Sequence, residues 1–414
     1  MNFRRSNFGF FVLQGLFWAC YCTIFGFTVT ILREYGFSAE ICGIVTTLQC
    51  VVFMLIQPVY GYLADNVSTP KKAFIIIIAV GTAAALPLPK IFTMGVVVVV
   101  LYMTFISLFV YSACNLLDAW SVAVINKTAG MDYAAVRGGG SACYALMALM
   151  AGNLIAPFGV QALFVVHLVL CVATLAVACF LVDSEGLEST RGILCSAKEQ
   201  VSFAKSISVL LHNRQFVLFT LCMCLYNFAT RASNTYLPLV LENIGGGSGH
   251  FGVALFLTAM GEAVFMLLAS RLIIRGMPPK YLYLMALGIL TLRYVLMATA
   301  DNLWFLIATQ VVQAVGFGFN LRMNAEYLVS IAPEGYHSMA IMLSSSIANG
   351  IGCVLGNYLG GEIISTVGIR PYVWICAAAM AIGFIIFLPT ALSEHRERAE
   401  ARRRYLLEQH QMRQ

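Results

Sequence analysis

The stretch DSEGLESTRGILCSAKEQVSFAKSISVLLHN, residues 183–213, is the longest hydrophilic break in an otherwise apolar chain. On either side of it, apolar runs of about 20 residues follow one another with short polar interruptions, and that is the length a helix needs to cross a hydrocarbon core of roughly 30 Å. About twelve can be counted: 8–31, 38–63, 73–92, 95–125, 134–157 and 160–182 before the break, then 215–243, 250–273, 279–300, 303–331, 338–365 and 370–393. None alternates with a period of two residues, which argues against a barrel. The break therefore predicts an all-α polytopic membrane protein in two pseudo-symmetric six-helix halves. Its parts are an N-terminal bundle over 1–185, a central cytoplasmic loop over 186–213, a C-terminal bundle over 214–393 and a basic cytoplasmic tail over 394–414.

Composition agrees with that reading. The 414 residues are 60% hydrophobic and 11% charged, with a mean hydropathy of +0.85, outside the range of a water-soluble domain. Basic residues in short loops stay on the cytoplasmic side. Arg4, Arg5, Lys71, Lys72, Lys127, Arg191, Lys198, Lys205, Arg214, Arg271, Arg275, Lys280 and the tail arginines mark one side, against Arg33, Lys90 and Arg370 on the other. Both termini are thus expected in the cytoplasm, in a multi-pass protein of the cell (inner) membrane. The first run has no small-residue cleavage site and reads as a retained helix. Because the positive charge follows topology, nucleic acid is not an expected partner. Most of the 13 cysteines lie inside apolar runs, where cysteine packs as a small apolar residue. None of the six histidines is read as clustered with acids or thiols, so no metal site and no cofactor are predicted.

Two sets of six helices joined by a long loop is the layout of transporters built from parallel repeats, with the solute site between the halves near mid-membrane. GYLADNVSTPKK, residues 61–72, adds Gly61 for a tight turn, Asp65 to accept from helix-end amides, and the basic Lys71 and Lys72. This resembles the gating-loop signature of the major facilitator superfamily, with Asn66 and Ser68 departing from it. Small residues at four-residue spacing let helices approach closely in lipid. Gly352, Gly356 and Gly360 form such a stripe in the eleventh run, and Gly140, Ala148 and Gly152 a similar one in the fifth, so both are expected at sliding faces between the halves.

Ionisable residues deep in a span are costly and are functional candidates by default. They are Asp118, Arg137, Arg231, Glu262 and Arg293, with Arg322 and Glu326 a further pair four residues apart on one face. The last pair reads as a structural ion pair on a helix surface. Asp118 and Arg137 read either as a solute clamp or as a structural pair at the inner rim. Glu262 has no basic neighbour within a helical turn and needs a partner from another helix, for which Arg293 is preferred over Arg231.

LIQPVYGYLADN at 55–66, LLDAW at 116–120, YAAVRGGGSACY at 133–144, LTAMGEAV at 257–264 and TLRYVL at 291–296 together resemble the oligosaccharide–proton symporters. That family takes in the lactose and phenylpropionate-type permeases, and the resemblance runs in register over about 8–393. It implies that Asp118 and Arg137 hold substrate hydroxyls and that Tyr144 stacks where the sugar permease has a tryptophan. It also implies that Glu262 is the acid tied to substrate and Arg293 the arginine associated with proton release, and Glu262, Arg293 and Asp118 are the expected proton-coupling residues. Two departures stand beside it. ATQVVQAVGFGF, residues 308–319, offers only Gln310 and Gln313 where the family has titratable groups, and these two are expected to line the solute cavity from the second half. Asn227 and Asn349 replace its acid–lysine link between helices 7 and 11 and are expected to hydrogen-bond to each other.

The sequence thus points to a monomeric, non-enzymatic carrier of a small polar organic solute, a sugar or nucleoside, working by alternating access with proton symport. An uncoupled facilitative or efflux carrier is the alternative within transport, and a membrane sensor or scaffold the alternative outside it. The topology has a direct consequence: a reporter active only in the cytoplasm should work when fused after Gln414 and fail when inserted at Gly159. The reverse pattern would overturn the orientation.

Overall fold

The structure is a computed structural model and describes residues 3–62, 69–125, 133–182, 203–333 and 336–411. Asp65, Asn66, Ser68 and most of the central loop lie outside them. Numbered by span, the first half contains α1, Phe3–Tyr21 continuing through a π-helical Cys22–Gly26 into Thr28–Glu34, then α2, Ala39–Tyr62, and α3, Pro70–Ala85. Next come α4, Val96–Ile106 continuing through π-helical Ser107–Tyr111 into Cys114–Ile125, α5, Tyr133–Phe158, and α6, Gln161–Phe180. The second half contains α7, Arg214–Glu242, α8, Ser248–Ile274, α9, Pro279–Ala298, and α10, Leu303–Ile331. It ends with α11, His337–Ile347 continuing through π-helical Ala348–Cys353 into Val354–Thr366, and α12, Ile369–Gln411.

Eleven helices among the described residues are long and apolar enough to cross a membrane. The exception is α3, at 16 residues. A proline has no N–H to continue the ladder, and α3 stops just before Pro87, with the four-residue Leu88–Ile91 helix carrying the chain on. Its start is set by Thr69, whose hydroxyl accepts from the Lys72 amide.

Aromatic packing fixes the first half internally. Trp120 of α4 is fully buried, edge-on to Phe10 of α1 at 5.1 Å and 5.8 Å from Phe74 of α3. In the second half Phe219, Tyr283 and Phe387 meet at 4.8–6.2 Å between α7, α9 and α12.

The halves touch chiefly at the end of the bundle remote from the termini, and there by backbone. A Cβ on Gly252 of α8 would stand 2.5 Å from the Ala148 carbonyl oxygen of α5, and one on Gly152 would stand 2.5 Å from the Ser248 carbonyl oxygen. Ser248 Oγ donates to the Gly152 carbonyl at 3.0 Å. On the other side of the seam, a Cβ on Gly43 of α2 would lie 2.8 Å from the Asn357 carbonyl oxygen, and one on Gly361 of α11 would lie 2.7 Å from that of Ala39. Phe27 meets Phe251 at 5.0 Å, and Arg33 pairs with Glu242 at 3.8 Å.

The expected sliding stripe therefore needs correcting. Gly152 and Ala148 do face the other half, but Gly140 packs on Trp18 of α1. Gly352 and Gly356 lie against the α7 backbone at Cys224 and Phe228, and Gly360 lies against Tyr236 and Tyr372, all within their own half. The α11 glycine that crosses is Gly361, one position off the stripe. Period alone marks a close-packed face without saying which neighbour it meets.

Overpacking a filled contact costs about 1–3 kcal/mol. Gly252→Val should lower the apparent Tm of the detergent-purified protein by several degrees. Gly138→Ala, where no atom lies within 4 Å, should leave it unchanged or slightly raised. Equal effects would contradict the backbone contact.

Candidate functional site

The α5 sequence places Arg137 four residues into the helix, followed by Gly138, Gly139 and Gly140. Two of these glycines make room for α1: a Cβ on Gly139 would stand 2.3 Å from the Phe11 ring, and one on Gly140 would stand 2.6 Å from the Trp18 ring. With α5 drawn in this closely, the Arg137 guanidinium lies over the Trp18 ring, 4.2 Å from its centroid. Its Nε is 3.8 Å from Asp118 Oδ1, and its Nη1 donates to Ser141 Oγ at 3.1 Å. Asp118 also accepts from Gln14 Nε2 at 2.9 Å, and Trp18 Nε1 donates to Gln14 Oε1 at 2.9 Å. The expected Asp118–Arg137 pair thus forms. Both side chains keep about a third of their surface exposed, so the pair adds at most about 1 kcal/mol to stability and stays free to rearrange around a ligand.

Trp18 and Gln14 were not foreseen. A tryptophan in an apolar run reads as core or interface, and only its contact with Arg137 marks it. From Trp18 an aromatic wall continues along the seam, with Tyr21 at 5.2 Å, Tyr111 stacked on Tyr21 at 5.6 Å, and Phe25 and Phe53 against Tyr111 at 5.2 and 5.6 Å. Tyr144 is half-buried, with its hydroxyl turned to Gly26 in the π-helical turn of α1.

Facing this wall from the second half are Glu262 and Arg231. The close contact of α5 on α8 sets their register. At about 1.5 Å rise per residue, Glu262 lies roughly 15 Å below Gly252, between the levels of Tyr144, roughly 12 Å below Gly152, and Arg137, roughly 22 Å below it. The cationic groups within electrostatic reach of Glu262 are Arg231 and then Arg137. Arg231 is exposed although midway along a 29-residue helix, and its charge reaches Cys353 on α11 and Tyr111, Cys50 and Tyr21 across the seam.

The expected Glu262–Arg293 pairing is overturned. Arg293 is fully buried inside the second half, where it donates to Ser233 Oγ and to Gln310 Oε1 at 3.2 Å each and lies 4.7 Å from the Tyr294 ring centroid. Depth along a helix can be read from sequence; azimuth cannot, and α9 turns Arg293 toward α7 and α10. Gln310 is consumed by that contact, and Gln313 is buried, its Nε2 donating to Asn234 at 2.7 Å and its Oε1 without a partner among the described residues.

Asn227 and Asn349 do not bond to each other. Asn227 Nδ2 donates to the Met223 carbonyl of its own helix, and Asn349 accepts from Cys353 on its own helix. The polar link between α7 and α11 is made by Asn357 instead, which accepts from Thr235 Oγ1 at 3.0 Å and, at its carbonyl, from the Tyr236 hydroxyl at 2.5 Å. Arg322 and Glu326 form their pair at 2.7 Å. Of the loop residues, Gly61 lies in the last turn of α2, Lys72 is exposed, and Lys71 Nζ caps α6 by donating to the Val182 carbonyl at 2.5 Å.

The reading of isolated histidines also needs correcting. His167 of α6 lies buried with Cys171 one turn on and Cys20 of α1, their ligand atoms all within 4.8 Å of one another. The four-residue spacing of His167 and Cys171 was visible in the sequence, whereas Cys20 is 147 residues from His167.

Comparison with known proteins agrees with this architecture. The chain is 26% identical to a maltose permease of Geobacillus stearothermophilus, covering 89% of this chain and 90% of that protein. It is 23% identical to the uncharacterised transporter YwbF of Bacillus subtilis (strain 168), covering 81% of each. The crystal structure of the nucleoside transporter NupG superposes with a TM-score of 0.74 at 16% identity, covering 94% of this chain and 98% of NupG, a likeness of fold. The sequence model of the MFS_1 like family matches residues 10–374, and the chain therefore belongs to that family of major facilitator membrane transporters.

Proposed function

We propose that the protein is a secondary active transporter that moves a small polar solute bearing several hydroxyls, a sugar or nucleoside, by alternating access with proton symport. The observation that carries this reading is the Asp118–Arg137 pair seated on Trp18 and opposed across the seam by Glu262 and Arg231. A carboxylate, a guanidinium and the Gln14 amide supply donors and acceptors for hydroxyls, while Trp18, Tyr21 and Tyr111 offer ring faces for a flat or apolar side of the solute. Relatives named as a maltose permease and a nucleoside transporter handle solutes of that kind.

The backbone contacts at the end remote from the termini describe a state closed on that side. The halves over 1–185 and 214–393 rock about the seam, with 186–213 as a cytoplasmic tether, both termini in the cytoplasm, and the protein acting as a monomer in the cell membrane. Glu262 is the proton-binding group. Arg231 and Arg137 are the cations within its electrostatic reach, and a solute or a rocking motion that draws Arg137 away changes its partners. Arg293 acts at a distance, by holding α9 to α7 and α10.

One observation favours a second reading, an uncoupled carrier: the α10 positions that could titrate hold Gln310 and Gln313, both neutral and buried. Proteoliposomes in a weakly buffered medium that carries an external pH dye separate the two. An inward gradient of maltose or uridine should alkalinise the exterior, and Glu262→Gln should keep solute exchange while abolishing the proton signal. Losing a charge-assisted hydrogen bond costs about 1.5–3 kcal/mol, so Asp118→Asn and Arg137→Gln should each weaken solute binding roughly 10- to 100-fold. Solute flux without alkalinisation selects the uncoupled carrier. If Glu262→Gln and Asp118→Asn both left uptake and proton movement unchanged, the site would be misassigned.

A further inference from the structure

We propose that Cys20, His167 and Cys171 form a binding site for a d10 divalent cation, Zn2+ or its analogue Cd2+, inside the first half. The three side chains come from two helices, α1 and α6, and all are buried. Cys20 Sγ is 3.1 Å from Cys171 Sγ; Cys20 Sγ is 3.5 Å from His167 Nδ1, and Cys171 Sγ is 3.5 Å from His167 Nε2. Around a tetrahedral zinc, with Zn–S near 2.3 Å and Zn–N near 2.0–2.1 Å, sulfur and nitrogen stand about 3.5 Å apart and two sulfurs about 3.8 Å apart. For a metal on Nε2 the Cys171 spacing is already met, and the set is completed by a rotation of Cys20 from Nδ1 toward Nε2 with the sulfur pair opening by roughly 0.7 Å.

The surrounding hydrogen bonds set the imidazole for metal. Thr23 Oγ1 donates to the Cys20 carbonyl at 2.6 Å, so its lone pairs accept from His167 Nδ1–H at 2.9 Å. That leaves the Nε2 lone pair facing Cys171 Sγ, with the threonine as the outer partner that orients a metal-bound histidine. Charge favours the same ion. Two thiols give up their protons to solvent as the metal binds, and two thiolates with a neutral imidazole balance one divalent cation, so the loaded site is electrically neutral. Neutrality is what an apolar interior tolerates. The site is separate from the solute cluster, because Cys20 and Trp18 are two residues apart on α1 and so point roughly 200° apart around the helix. Its role is to clip α1 to α6 just before the π-helical turn at Cys22–Gly26.

The test uses the full-length protein, expressed with supplemented zinc and purified in metal-free, reducing detergent buffer. Elemental analysis should find about one zinc per chain, lost in Cys171→Ser and in His167→Gln. Exchange into Co2+ should give thiolate-to-metal charge-transfer and tetrahedral d–d bands in the wild type that both variants lack. Metal should raise the apparent Tm of the wild type and leave that of the variants unmoved. Monodisperse elution of both variants shows that the loss is not misfolding, and should either fail to fold, Cys20→Ala serves in its place. Three results would overturn the proposal: free thiols at both cysteines with no bound metal, zinc retained by Cys171→Ser, or a Cys20–Cys171 disulfide in place of metal.

Discussion

The approach of α5 to α8, backbone against backbone at Gly152 and Gly252, is the constraint on which the rest of the seam depends. In a hydrocarbon setting, apolar side chains gain little by leaving lipid for protein, so helices associate where they can come close enough for dispersion and small hydrogen bonds. That one contact fixes both the separation and the axial register of two long helices. Register then decides that Glu262 sits level with the space between Tyr144 and Arg137, and the ionic chemistry of the seam follows from it.

A second consequence concerns the charges themselves. Arg137 and Arg231 face the open seam, one over a tryptophan and the other toward tyrosines, whereas Arg293 is sealed inside the second half among neutral oxygens. An arginine among hydroxyl and amide oxygens is a structural tie, holding three helices through a fork of donors. An arginine over an aromatic face beside a loosely paired carboxylate keeps its freedom to rearrange, because water can reach it. The same residue type serves two ends, and the neighbours decide which.

Much of this was legible from the chain alone. The spans, the Arg322–Glu326 pair and the Asp118–Arg137 pair all follow from length, spacing and resemblance. What was not legible is azimuth. Glu262 and Arg293 were matched by depth, but α9 points its arginine inward. Asn227 and Asn349 were matched by analogy, yet each is satisfied by its own helix, as short amides in helices commonly are. Trp18 and Cys20 were hidden because an aromatic ring or a thiol in an apolar run looks like packing. Only the fold brings Trp18 to Arg137 and Cys20 to His167.

The ion pair between Arg33 and Glu242 bridges the halves at their closed end, but both side chains are open to water, at 37% and 59% exposure. With a Debye length of about 8 Å at physiological ionic strength, such a pair is worth little. Closure on that side is accordingly a matter of steric fit between glycine-lined helices and not of an electrostatic latch. The fit between the halves at that end is therefore expected to hold at any ionic strength.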